Sequence, residues 1–208
     1  MRVLIVDDHA VVRAGLRQIL TEAGEVVVGE AADGHAALEL LREADWDLVL
    51  LDVALPGRNG IDVLKQIKAE WKRLPVLILS MYPEDQYAIR ALRAGASGYM
   101  TKESASEELL NAVRKVAAGG RYVSESLAEL LACRLDDGTA GDEPHLALSD
   151  REYEVLKLIA SGRTVSEIGD TLALSVKTIS TYRSRILEKM GMKTNAELTH
   201  YAVTHGLG

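Results

Sequence analysis

The chain has 208 residues, no phenylalanine, one cysteine, four prolines and only 4% aromatic residues. Without Phe, any core must be assembled from Leu, Val, Ile and Ala. The lone thiol, Cys133, excludes an internal disulfide and fits a reducing compartment. No apolar run approaches the about 18 residues of a membrane helix. The N-terminus runs straight into a strand-like segment, so neither a signal peptide nor a membrane partner is expected, and a cytoplasmic location is. Internal repeats and long low-complexity tracts are also absent.

What is present is the composition of a globular protein, 48% hydrophobic and 26% charged. The length suits one large domain or two ordinary ones. The net charge of −7 is unevenly distributed. From Asp150 onward, Arg151, Lys157, Arg163, Lys177, Arg183, Arg185, Lys189 and Lys193 slightly outnumber the acids, so the acidity lies in residues 1–149. Within 176–193, five bases face one acid. An acidic module joined to one that can meet nucleic acid is the expectation.

The stretch Asp47-Leu48-Val49-Leu50-Leu51-Asp52, followed by Val53-Ala54-Leu55-Pro56-Gly57, reads as a strand buried on both faces and stopped by turn residues. Around it, Arg2–Val6 predicts a first strand and Val11, Val12, Leu16, Ile19 and Leu20 a helical stripe ending at Gly24. A second strand is predicted within Glu25–Ala31, a helix after Asp33-Gly34, and another carrying Ile61, Leu64 and Ile67. Val76–Ser80 is a fourth strand, Gln86–Arg93 a helix, and Ser97–Met100 a fifth strand. Ser104 with Glu107 predicts a capped helix through Ala118. Five strands alternating with five helices argue for a doubly wound parallel sheet, an α/β fold. A further helix over Ser124–Leu135 precedes a Gly- and acid-rich flexible linker over Asp136–Pro144. The expected division is therefore 1–120, 121–147 as helical and flexible linker, and 148–208.

In a parallel sheet, the residues ending strands one, three, four and five share one edge: Asp7 and Asp8, Asp52, Ser80 and Lys102. Each alone is equally well an ordinary surface acid, loop serine or solvated lysine. Their joint placement favours a site. Three carboxylates about 4–5 Å apart repel by about 3–4 kcal/mol per pair at an effective dielectric of about 20. Protonation or a divalent cation relieves this, and hard oxygen donors suit Mg²⁺. Asp52 can then act as a nucleophile toward phosphorus, with Lys102 and Ser80 stabilising the added charge.

Residues 1 to about 120 resemble the receiver domain of two-component response regulators. The resemblance rests on Val-Asp-Asp-His at 6–9, Leu-Asp-Val-Ala-Leu-Pro-Gly at 51–57 with Gly60, Leu-Ser at 79–80 and Gly-Tyr-Met-Thr-Lys at 98–102. It implies a flavodoxin-like fold and Asp52 as phosphoacceptor. It also implies Mg²⁺ held by Asp8, Asp52 and the carbonyl of Ala54, with Asp7 assisting through water. Ser80 and Tyr99 would be the switch pair, Ser80 moving toward the phosphoryl group and Tyr99 turning inward. Two departures stand out. Glu103 follows the lysine where many receivers have a cis proline. Ala54 and Tyr82 offer no carboxylate or amide to orient a hydrolytic water, so a long-lived phosphoryl group is expected.

The C-terminal part predicts a helix capped by Ser149 with Glu152, a helix over Val165–Leu172, and a turn at Ala173-Leu174-Ser175. A helix over Val176–Met190 and one over Asn195–Tyr201 complete it. Two helices across a three-residue turn, the second basic, describe a helix-turn-helix or a plain helical bundle with a charged face. Leu-Ser-Asp-Arg-Glu at 148–152, Ser-Glu-Ile-Gly at 166–169, Leu-Ser-Val-Lys-Thr-Ile-Ser at 174–180 and Lys-Met-Gly-Met-Lys at 189–193 resemble the LuxR-type helix-turn-helix. The whole chain is thereby similar to NarL/FixJ-class response regulators. The resemblance implies that Ser180, Thr181 and Ser184 face bases while Lys177, Thr178, Arg183, Arg185 and Lys193 position on phosphate.

The function so implied is a DNA-binding transcriptional regulator and not an enzyme. It would be phosphorylated by a sensor histidine kinase, homodimeric when phosphorylated, and able to meet RNA polymerase. Thr199, Tyr201 and Val203 are candidate pairing residues of the DNA-binding part. For the receiver, either the first and fifth helices or the fourth-helix face could pair. Two enzyme-like or cofactor rivals fit less well. An aspartyl-phosphate hydrolase wants a carboxylate where Ala54 stands, and Asp7-Asp8 would repel the phosphate of a flavin. A regulator that never takes phosphate is a third alternative.

Overall fold

The computed structural model describes residues 1–207 except 25, 57, 83, 105 and 137–143. It divides into two compact units, Met1–Ala132 and Cys133–Gly208.

The first unit alternates strand and helix. β1 (Arg2–Val6), α1 (Ala10–Glu22), β2 (Val27–Ala31), α2 (Gly34–Glu43) and β3 (Leu48–Asp52) are followed by α3 (Gly60–Glu70) and β4 (Val76–Ser80). Next come α4 (Glu84–Arg93), β5 (Gly98–Thr101), α5 (Ser106–Ala117) and the start of α6 (Glu125–Asp136), which runs past the unit's end at Ala132. All strands pair in parallel, in the order β2-β1-β3-β4-β5. The order reverses between β1 and β3, and that switch point is where open α/β sheets place their ligands.

Every residue of β3 and β4 is buried, because a parallel sheet is covered on both faces. Val3, Ile5, Leu48, Leu50, Leu77 and Leu79 pack with Leu20 of α1 and with Leu109, Val113 and Val116 of α5. The alternate strand residues, among them Leu4, Val49, Leu51 and Ile78, are equally buried, as are Leu38, Ile61 and Leu64 of α2 and α3. The core contains no Phe and needs none.

Several boundaries differ from the sequence expectation. Val11 is 85% exposed, so the apolar stripe of α1 begins at Val12. α4 starts two residues before Gln86, and α10 (below) extends three residues past Tyr201. α5 starts at Ser106. Ser104 instead gives its N–H to the Thr101 carbonyl at 3.2 Å and lies 3.3 Å from the Thr101 hydroxyl, in a turn that closes β5. The predicted flexible stretch Asp136–Pro144 falls mostly on 137–143, outside the described residues.

In the second unit, beyond the end of α6, a 3-10 turn over Pro144–Ala147 buries His145, whose Nδ1 lies 2.9 Å from the Tyr201 hydroxyl. It continues with α7 (Asp150–Ala160), α8 (Val165–Leu172), α9 (Val176–Met190) and α10 (Asn195–Thr204). The predicted Ser149–Glu152 capping box is present. Thr164 with Glu167 and Thr194 with Glu197 form two more. Between α8 and α9 the chain turns through Ala173 in the left-handed region, φ 53°, and Leu174 donates to the Gly169 carbonyl at 2.8 Å. Among the described residues no helix is long and apolar enough to cross a membrane.

Two substitutions test this account by urea unfolding. A Cβ at Gly60 would lie 2.0 Å from the Asp52 carbonyl oxygen and 2.8 Å from Val53 Cα, both backbone. Gly60→Ala is expected to destabilise by about 2–3 kcal/mol, in the overpacking range. Ala173→Gly relieves a left-handed alanine and is expected to stabilise by about 0.5–1 kcal/mol.

Candidate functional site

The strand ends converge as their chain positions require. Asp7 follows β1, Asp52 ends β3, Ser80 ends β4 and Lys102 follows β5. Asp7, Asp52 and Ser80 are all buried, whereas Asp8 is partly open to solvent. Lys102 holds the two buried acids together: its Nζ lies 2.6 Å from Asp7 Oδ2 and donates to Asp52 Oδ2 at 2.7 Å. The other Asp52 oxygen accepts the Ala54 N–H at 3.1 Å. Burial pushes the Asp52 carboxyl above its ordinary range, and the Lys102 ammonium and the Ala54 N–H only partly pull it back. For Lys102, burial lowers the pKa but the two carboxylates more than reverse that, leaving it raised and the amine charged.

Asp7, Asp8, His9 and Asp52 bring one donor atom each within 4.8 Å of one another. Three hard carboxylates at the mouth of a buried pocket fit a divalent cation, which would offset the repulsion that a single lysine leaves. His9 was not among the predicted site residues, although it stands in the Val-Asp-Asp-His run. Asp7 is itself anchored: its N–H donates to the Ala31 carbonyl of β2, and its carbonyl accepts from Arg13 at 2.7 Å. Arg13 and Arg17 both pair with Glu30.

Ser80 and Tyr99 meet at one peptide. The Ser80 hydroxyl accepts the Tyr82 N–H at 3.1 Å, and the Tyr99 hydroxyl donates to the Tyr82 carbonyl at 2.8 Å. Tyr99 is fully buried and thus already turned inward. The Tyr82 ring stacks on Tyr87 of α4 with centroids 4.8 Å apart. Ala54 is exposed. No cis peptide occurs among the described residues, consistent with Glu103 after Lys102.

In the second unit, Ile179, Ile186 and Met190 bury one side of α9. Lys177, Ser180, Thr181, Ser184 and Arg185 are exposed, as is Lys193 beyond the helix; Thr178 and Arg183 are half-buried. Ser175 caps α9 by accepting from the Thr178 N–H. Arg183 Nε donates to Asn195 Oδ1 at 2.5 Å, which ties its guanidinium to the start of α10. Val176, 51% exposed in the first turn of α9, is an apolar residue on this surface that charge-based reading overlooked. Of the candidate pairing residues, Val203 is exposed while Tyr201 is engaged with His145.

A doubly wound sheet with acids and a lysine at its switch point, followed by a four-helix unit with a basic exposed helix, defines a regulator with a receiver and a DNA-binding part. The profile of the response regulator receiver domain matches residues 3–114, and that of bacterial regulatory proteins of the luxR family matches 146–202. The chain belongs to the response regulators that join these two domains, a family of transcription regulators and not of enzymes. It is 39% identical to the response regulator GacA of Pseudomonas aeruginosa over 208 residues, 100% of this chain and 97% of GacA. It is 36% identical to UvrY of Escherichia coli, across 100% of this chain and 95% of UvrY. Among solved structures, RcsB of Salmonella enterica serovar Typhimurium bound to the promoter rprA with the phosphomimetic BeF3- is similar at TM-score 0.66. The identity there is 30%, with 97% of each chain covered.

The burial of Asp52 sets a testable pH dependence. Its folded pKa is raised, so the stability it contributes is complete below the ordinary carboxylate range and is lost as pH rises. In metal-free buffer, Asp52→Asn is expected to unfold at a higher temperature than wild type at pH 7, with the gain shrinking toward pH 4. Thermal unfolding followed by circular dichroism at the two pH values checks this, and an equal gain at both would contradict it.

Proposed function

We propose that this chain is a phosphorylation-switched transcription factor in which Asp52 is the phosphoacceptor. The observation that carries the reading is the Lys102 ammonium clamped between Asp7 and Asp52 at the switch point of the sheet. The donor is a sensor histidine kinase. An Asp52 oxygen attacks phosphorus, the P–N bond of the phosphohistidine breaks, histidine leaves, and an acyl phosphate forms. Lys102 is positioned to neutralise the added negative charge, and the Ser80 hydroxyl can donate to a phosphoryl oxygen. Asp7, Asp8, Asp52 and the Ala54 carbonyl are the residues that would hold Mg²⁺, which when bound supplies charge neutralisation at the phosphoryl oxygens. Ala54 leaves no side-chain base to activate water, which favours a phosphoryl group outlasting seconds.

The output reading rests on the basic face of α9. Ser180, Thr181 and Ser184 present hydroxyls to base edges, Val176 can contact a thymine methyl, and Lys177, Thr178, Arg183, Arg185 and Lys193 meet phosphates. RcsB has been solved on promoter DNA, and as two dimers bound to two parallel DNAs. A phosphorylation-favoured homodimer of the present chain on duplex DNA follows the same logic, since one small module contacts too few bases for specificity. Contact with RNA polymerase and a cytoplasmic location belong to the same proposal. So does the division into a receiver at 1–120, a linker at 121–147 and a DNA-binding domain at 148–208.

Incubated with Mg²⁺ and acetyl phosphate, wild type is expected to gain one phosphoryl group by intact mass and Asp52→Asn none. Folded wild type that binds Mg²⁺ but takes no phosphoryl group would shift the reading to a phosphate-independent regulator. On DNA, Arg185→Ala is expected to lower the slope of log affinity against log salt by about one. Fluorescence anisotropy on promoter fragments measures that slope.

A further inference from the structure

The two faces of the acidic pocket are chemically different. Lys102 takes the Oδ2 atoms of both Asp7 and Asp52, and the Ala54 N–H takes Asp52 Oδ1. The oxygens turned away from the lysine converge on an imidazole instead. His9 Nδ1 lies 2.7 Å from Asp8 Oδ1 and 3.4 Å from Asp7 Oδ1. The His9 main-chain N–H also donates to Asp7 Oδ1 at 2.8 Å, which holds the residue's backbone next to the carboxylate it would share a cation with. Those separations match neighbouring ligands on one metal, which lie about 3 Å apart when each bond is about 2.1 Å.

We propose that His9 is a nitrogen donor to the cation in this pocket, and that it biases the site toward divalent ions that accept imidazole, such as Mn²⁺, over Mg²⁺. The proposal rests on the metal reading above and adds a ligand to it. Mg²⁺ is satisfied by oxygen and retained water, whereas later divalent ions gain from a neutral imidazole nitrogen. His9 is 66% exposed, so its ring can settle on the cation without disturbing the core.

The test uses Mn²⁺ bound to the full chain, followed by electron spin-echo modulation, with Mg²⁺ as competitor. Wild type is expected to show modulation from a directly bound ¹⁴N that disappears as excess Mg²⁺ displaces the ion. His9→Gln is expected to bind Mg²⁺ within about twofold of wild type, to bind Mn²⁺ about tenfold more weakly, and to lose the nitrogen signal. Mg²⁺-displaceable Mn²⁺ without nitrogen coupling in wild type would overturn the role of His9 and leave the metal reading standing. Folded wild type that binds neither ion would overturn both.

A second inference comes from the other end of the Ser80–Tyr82–Tyr99 contact. Glu84, in the first turn of α4, accepts hydrogen bonds from the Ser124 hydroxyl at 2.7 Å through both oxygens, and from the Ser126 hydroxyl at 2.5 Å. Ser124 in turn accepts the Leu127 N–H at 3.1 Å and so caps α6, the helix that leads into the linker. Glu84, whose carboxylate holds the start of α6, stands two positions after Tyr82, whose peptide both switch side chains hold. We infer that Glu84 is a clasp through which rearrangement of the β4–α4 loop loosens α6.

Hydrogen exchange of the full chain with and without Mg²⁺ and BeF3- tests this. The amides of the first two turns of α6 are expected to exchange faster with BeF3- in wild type. In Glu84→Ala, and in the Ser124→Ala/Ser126→Ala pair, they should exchange at the fast rate already, with BeF3- affinity equal to or higher than that of wild type. Slow exchange of α6 in Glu84→Ala, or no response to BeF3- in a wild type that binds it, would overturn the inference.

Discussion

The pairing of one buried ammonium with two buried carboxylates is the constraint on which the first unit depends. Asp7 and Asp52 are brought together because β1 and β3 are neighbours in register, with Val6 opposite Leu51. Both acids contact Lys102, which arrives from β5 on the far side of β4. One positive charge against two negative ones leaves the pocket under-neutralised. Burial accordingly holds the Asp52 carboxyl above its usual range even with the lysine in contact. The pocket thus has room for added positive charge, and the buried Asp52 carboxyl is not matched one to one by a cation. A site optimised for stability would have ended with equal charges.

The same pocket explains why local backbone is fixed so tightly around it. Gly60 lets α3 begin against the carbonyl of Asp52, while Asn59, buried beside it, caps α3 through the Ile61 N–H. Arg13, held by Glu30, grips the Asp7 carbonyl. Each contact constrains backbone next to one of the buried acids through groups other than the carboxylate oxygens. On the β4 side the Tyr82 peptide is tied instead to two hydroxyls, those of Ser80 and Tyr99.

Much of this was legible in the sequence, and for a physical reason. Buried parallel strands are unbroken apolar runs, so their ends at Asp7, Asp52, Ser80 and Lys102 can be counted directly, and a parallel sheet sends all of them to one edge. α8 and α9 were bounded correctly because their caps and apolar spacing agree. The capping boxes at Thr164 and Thr194 carry the same Thr-x-x-Glu signal and could have been read the same way. What could not be read are contacts between residues distant in sequence. His145 looks like linker until Tyr201, 56 residues later, receives its ring. Glu84 looks like loop until Ser124 and Ser126 meet it. Ala173 in the left-handed region gives no warning at all, since propensity would place Gly or Asn there.

In the second unit one helix, α9, both packs the core and presents an exposed basic face. Ile179, Ile186 and Met190 commit one face of α9 to the core, which fixes the rotation of the helix and therefore which side chains reach outward. Gly169 sets the other coordinate. A Cβ there would stand 2.8 Å from the Leu174 carbonyl, so the turn closes tightly only with glycine, and the tight turn aims the N-terminus of α9 away from α8. Arg183 is then anchored by Asn195, whereas Lys177 and Arg185 are exposed. An anchored guanidinium loses less conformational freedom on meeting a phosphate than a free lysine does. Arg183 is thereby the more preorganised cation of this face, beside the exposed Lys177 and Arg185.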